Sequence, residues 1–212
     1  IAVVWWILGQ AGAAESPQFG PGVLLGLFLV ISAIPALALV KLVGRVVERN
    51  RPQIVLVRSD LLAFALTFLV YWGFRSSWLN LEMVYVAGFG LAVLEAFFNP
   101  SLSKAIPELA LPEEIEEAVA FQSSTQYLAS FGGAVAGAFL LAWIGIPGVV
   151  LVNALSFLVS AGCTLAIRFR TSELSQGYAA EEEMAVGWGV LEEYPLLRQL
   201  LLGFGVVNFF AT

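Results

Sequence analysis

The sequence predicts an all-α protein, a polytopic bundle of transmembrane helices, and three observations carry that expectation. Of its 212 residues 59% are hydrophobic and 12% charged, where soluble domains average about 25% charged. The apolar residues gather into runs of the length, about 20 residues, that a helix needs to cross a hydrocarbon core about 30 Å thick. The charges concentrate in short stretches between those runs, the clearest being Gly44-Arg45-Val46-Val47-Glu48-Arg49-Asn50-Arg51-Pro52. Short loops rich in Lys and Arg stay on the cytoplasmic side, so the 44–53 loop is expected to face the cytoplasm of a cell (inner) membrane.

Residues 1–8, with Trp5 and Trp6, are apolar but too few to span, and read as the tail of a first helix that began upstream. Residues 9–20, with Gly12, Glu15 and Pro17, read as an exposed loop. The second run, 22–43, carries Gly22 and Gly26 at a spacing that lets helices approach, Pro35 as a bend, and Lys41 at its end. Gly44 sits where backbones crowd, and Pro52 opens the next helix at a position that needs no N–H.

The third run, 54–74, holds Arg58 and Asp60 inside the boundary. An ionisable group in hydrocarbon costs at least about 2.5 kcal/mol, which marks both as functional candidates. Residues two apart on a helix face different sides, so Asp60 is expected to meet the hinge or another helix and not Arg58. After an external loop, 75–82, with Trp78 as interface anchor, the fourth run spans 83–98 and is expected to end at Pro100. Its Glu95 either pairs with Arg49, Arg51 or Lys104, or takes up and releases a proton.

Residues 101–117 read as a connecting segment with one base, Lys104, among five glutamates. The fifth run, 118–143, opens on polar residues including Gln122 and Gln126, one turn apart and suited to a polar cavity or a helix contact. It continues through Gly132, Gly133 and Gly137, which are expected to pack closely against another helix. A tight loop, Gly145-Ile146-Pro147-Gly148, returns the chain into the sixth run, 149–167, where Asn153, Ser156 and Ser160 share one stripe. Residues 1–170 thus form the bundle, 171–195 an acidic linker with a short helix, and 196–212 the start of a seventh span.

The hinge resembles the loop between the second and third helices of the major facilitator superfamily: a glycine, an acid four residues later, then closely spaced arginines. Gly44, Glu48, Arg49 and Arg51 match in order. Phe97-Phe98-Asn99-Pro100, followed by Ile106-Pro107-Glu108-Leu109 and Pro112-Glu113-Glu114, resembles the branch with bacterial siderophore and macrolide exporters and the lysophospholipid transporter. The run Asn153-Ala154-Leu155-Ser156-Phe157-Leu158-Val159-Ser160 resembles it too. The chain departs from the superfamily pattern at Arg45, at Glu48, where aspartate is usual, and at Ala63, where an arginine often follows the third-helix aspartate.

The resemblance implies a superfamily-like six-helix half plus the start of the second half, working by alternating access on a small amphipathic or lipid-like molecule carried outward through the bilayer. It makes Gly44, Glu48, Arg49 and Arg51 a conformational latch. The alternative is a non-transporting structural or assembly subunit whose partners are other subunits of a membrane complex. An enzyme is not expected, because no nucleophile motif, phosphate-binding loop or metal-ligand cluster occurs, and neither a cofactor nor a metal is implied. The acids sit in connecting segments, which excludes nucleic acid as a partner. Cys163, the sole cysteine, reads as a small buried residue in apolar surroundings.

Overall fold

The computed structural model describes residues 20–167, all within one compact unit, Ile1–Arg170. The expectations for residues 1–19, for the 171–195 linker and for the 196–212 span lie outside the described residues. Helix α1 runs Pro21–Ala38, α2 Val40–Arg49, α3 Pro52–Arg75 and α4 Leu81–Leu109. A short 3-10 turn, Pro112–Glu114, then leads into α5, Ile115–Ala166. No strand occurs among the described residues. Helices α3, α4 and α5 are each long and apolar enough to cross a membrane, and the bent pair α1 and α2 adds a fourth candidate.

Two boundaries differ from the sequence expectation, each for a local reason. The second run is not one straight span. Pro35 lies inside α1, Leu39 leaves helical geometry at ψ 2°, and the axis turns 54° between α1 and α2. The leucine amide still bonds the carbonyl of Pro35 at 3.0 Å, so the break costs little backbone pairing.

The fourth helix does not end at Pro100 but continues to Leu109 through both Pro100 and Pro107. A proline removes one donor from a helix, here the partners of the Ala96 and Ser103 carbonyls, and the serine hydroxyls nearby bond other carbonyls of the same turns. Here Ser101 Oγ donates to the Phe97 carbonyl at 2.8 Å and Ser103 Oγ to that of Asn99 at 3.2 Å. With 29 residues α4 is about 43 Å long, more than the hydrocarbon core, so part of it lies beyond that core.

The fifth and sixth runs are two helices that meet at a kink at Gly145 (φ 67°, ψ 179°), as the turn residues there lead one to expect, and together they are named α5 over 52 residues. That backbone state is open almost solely to glycine, and it divides two arms, 115–144 and 146–166. Helical geometry resumes at once, with no loop of its own. Gly148 fits tightly behind the break, where a Cβ would stand 2.7 Å from that of Ile144.

The later arm of α5 packs along α3, the most extensive contact among the described helices. Buried positions on α3 recur at Leu56, Asp60, Ala63, Thr67 and Val70, a three-four spacing that makes one seam, and Ala154 and Ala161 of α5 are buried likewise. The two run antiparallel: Gln53, in the first turn of α3, meets Thr164 and Ile167, whereas Val70 shares a core cluster with Val150 and Ala87. Small residues on α5 let the backbones approach, which is how helices associate where lipid offers no hydrophobic drive.

Helix α1 joins α4 through Phe28, which meets Tyr85 edge-to-face at 5.6 Å, and through Tyr85 Oη, which donates to the Leu24 carbonyl at 2.6 Å. The ring of Phe28 lies so close to Gly88 that a Cβ there would be 2.5 Å from it. The 115–144 arm is different: Phe121, Tyr127, Leu128, Phe131, Phe139 and Trp143 are all strongly exposed, an apolar face turned outward from the described bundle.

Candidate functional site

Two polar regions stand out in this apolar frame. The first is the hinge. Helix α2 ends at Arg49, and like every α-helix it leaves its last carbonyls without intrahelical partners. Asn50 caps part of this end, its Nδ2 donating to the Val46 carbonyl at 2.7 Å. Arg51 is extended (φ −64°, ψ 132°), as a residue before proline prefers, and Pro52 starts α3.

The rest of the cap comes from another helix. Lys104 Nζ, near the C-terminal end of α4, donates to the carbonyls of Val47 at 2.8 Å, Glu48 at 3.1 Å and Asn50 at 3.1 Å. All three ammonium protons are thereby used. A cation is also favoured there by the negative end of the α2 dipole. Glu108, one turn along α4, is within electrostatic reach of Lys104 and Arg51.

The second helix end at this face is held in the same way. Gln53 Nε2 donates to the carbonyls of Thr164 at 3.0 Å and Ile167 at 3.1 Å, so α3 caps the C-terminus of α5. Neither cap announced itself in the sequence. The sequence marks Lys104 as a partner for Glu95 and as the one base of the 101–117 segment, and does not mark Gln53. The signals are a lone base within an acidic stretch, and an amide in the first turn of an otherwise apolar helix.

The second polar region is the α3–α5 seam. Asp60 is 3% exposed and receives a hydrogen bond from Ser160, so it meets another helix. Its Oδ2, and Oγ1 of the equally buried Thr67, have no hydrogen-bond partner among the described residues. Thr67 lines a cavity of about 310 Å³. Its walls are Phe28 of α1, Val70 of α3, Gly88 and Leu91 of α4, Gly133 and Gly137 of the earlier arm of α5, and Asn153 of the later arm. The cavity is thus largely apolar with two hydrogen-bonding side chains, Thr67 and Asn153.

The remaining sequence candidates are dispersed. Glu48, Arg49, Arg51, Arg58 and Glu95 are exposed, Gly44 is half-buried with open space beside it, and Gln122 and Gln126 lie on the outward arm of α5. Glu48 contributes its carbonyl to the Lys104 contact. Gly132 and Gly133 have no described atom near enough to meet an added Cβ. Ser156 turns its hydroxyl back to the Asn153 carbonyl at 2.7 Å, and Ser160 of the same stripe goes to Asp60. Cys163 is exposed, contrary to expectation, because its neighbours Ala161 and Thr164 take the seam-facing positions. No cluster of His, Cys, Asp or Glu able to hold a metal occurs among the described residues.

Long apolar helices, a buried polar seam and a basic hinge between two spans define a multi-pass membrane protein. The Major Facilitator Superfamily model matches residues 1–212, and the chain belongs to that superfamily. No curated protein and no solved structure matches it.

Proposed function

We propose that this superfamily transporter carries a small amphipathic or lipid-like molecule outward by alternating access, with the hinge on the cytoplasmic side serving as its latch. The observation that carries the substrate class is the α1–α3–α4–α5 cavity: about 310 Å³, walled by apolar side chains and glycines, with Thr67 and Asn153, among the described residues, to orient a polar group. Ligand sites are commonly apolar clefts with a few placed polar groups. The outward direction rests on the likeness of the 97–114 stretch to exporters.

The latch reading gains support from the Lys104 contact. A single flexible side chain bridges α4 to the end of α2, and its hydrogen bonds are to carbonyls near the surface, so they can be exchanged for water at small cost. In alternating access one bundle rocks against another around a site near the midplane, and the Lys104 contact, lying within one bundle, fixes the shape of the hinge that would face the other.

The test is flux in proteoliposomes of an NBD-labelled lysophospholipid and of a macrolide. Asn153→Ala is expected to lower uptake affinity about tenfold with insertion intact, and Glu48→Gln to change rate without changing affinity. Unchanged flux of both probes in well-inserted Asn153→Ala would remove the cavity from the site. Unchanged rate in Glu48→Gln would remove the latch.

A further inference from the structure

Helix α2 carries a pattern that neither spanning nor latching requires. Lys41, Arg45 and Arg49 follow one another at intervals of four and stack on one face. All three are exposed, while Val43 and Val47, on the opposite face, are 6% and 7% exposed and pack into the bundle. Val40 and Leu42, flanking Lys41, are exposed as well. Glu48, at the edge of the stripe, offsets one charge, and Arg51 and Arg58, both exposed beyond the turn, add two more cations.

The placement of this helix follows from α1. At 18 residues α1 is about 27 Å long, so it nearly uses up the hydrocarbon thickness before α2 begins. The 54° bend then swings α2 away from the line of that crossing, and because spans tilt on average about 20° from the normal, α2 leans toward the membrane plane. An amphipathic helix at this depth, with cations on its outward face and apolar residues beside them, is built to lie in the headgroup layer.

We infer that the outward face of α2 is a docking surface for the phosphate groups of anionic membrane lipids, with Lys41 and Arg45 as its central contacts and Val40 and Leu42 reaching the acyl boundary. Charge complementarity selects the lipid class. A row of cations in the headgroup layer attracts anionic lipids at about fivefold in affinity per Lys or Arg. The bend at Leu39 supplies the orientation that a straight second span would lack.

Lys41 and Arg45 lie outside the proposed latch set, so the test separates the two readings. The full-chain protein in detergent is titrated with phosphatidylglycerol and with phosphatidylcholine of the same acyl chains, and bound lipids are counted by native mass spectrometry. Wild type is expected to prefer phosphatidylglycerol at least tenfold. The double variant Lys41→Gln/Arg45→Gln should lose about twentyfold in phosphatidylglycerol affinity with phosphatidylcholine unchanged, and Lys41→Arg/Arg45→Lys should keep the preference, which separates charge from folding. A preference that survives charge removal, no preference in wild type, or displacement of phosphatidylglycerol by millimolar inorganic phosphate would each overturn the inference, the last by showing a site for free phosphate.

Discussion

At the scale of single residues, the chemistry of this chain lies in a few side chains that answer unmet backbone or polar groups. Lys104 is the clearest: it completes the α2 terminus from a different helix. Replacing it by methionine keeps the stem but returns three carbonyls to water, at an expected cost of about 1–2 kcal/mol to that joint because the site is only half-buried. Hydrogen exchange should report it. Amides in the last turn of α2 are expected to exchange about tenfold faster in Lys104→Met, with α3 amides unchanged, and equal rates in both would mean that the ammonium holds nothing.

Thr67 presents the opposite case, a hydroxyl buried without a partner among the described residues. Thr67→Val exchanges that orphan for a methyl of similar volume, and it is expected to raise stability by about 1 kcal/mol while weakening the binding of any ligand that needs the hydroxyl. A thermal midpoint that falls would show that the hydroxyl has a partner in the working protein. Such residues were hard to foresee because their roles depend on neighbours distant in sequence. Lys104 acts on carbonyls more than 50 positions away, and carbonyls carry no sequence signature. Asp60 was legible for the converse reason, since a carboxylate in an apolar run must find a partner on another element.

At the scale of elements, glycine positions decide how helices meet and turn. Gly88 admits the ring of Phe28, and Gly88→Ala would force α1 from α4 at an expected cost of about 1–3 kcal/mol. Adding Phe28→Leu should recover most of that loss. A double variant as unstable as the single one would separate the two sites.

Gly145 holds the break in α5 in a backbone state that an alanine adopts at a cost of about 1–3 kcal/mol. Spin labels at positions 130 and 158 would stand about 42 Å apart on a straight helix. Wild type is expected to give a much shorter distance, because the two arms share a cavity, and Gly145→Ala a longer one. The glycine-proline signal for this reversal was plain in the sequence. By contrast, Pro35 and Pro100 looked equally disruptive, yet one sits beside a 54° bend and the other inside an unbroken helix. A proline inside a helix costs one backbone bond and a kink, and the flanking turns of α4 hold it together where a proline signal alone predicts a stop.

At the scale of the whole molecule, apolar run length and charge placement were enough to read an all-helical membrane protein, and the hinge with its arginines was enough to read the superfamily. Which helix faces which was not readable. In lipid the outer surface is as apolar as the interior, so burial leaves no compositional mark, and α3 and α4 differ little in hydropathy though α3 is far more enclosed. The seam on α3 is visible only once small and polar residues at three-four spacing are set against the alanines of α5. Reading a membrane helix by its small residues, and not by its greasy ones, would have found it.

The outward position of Cys163 gives the molecule a built-in reporter. This lone thiol sits one residue before Thr164, whose carbonyl accepts from Gln53, and its own carbonyl accepts from the Ile167 amide in the final turn of α5. Maleimide modification would therefore follow fraying of that turn with no cysteine introduced. A substrate or lipid that tightens the α3–α5 junction should slow the reaction, and one that loosens it should speed it.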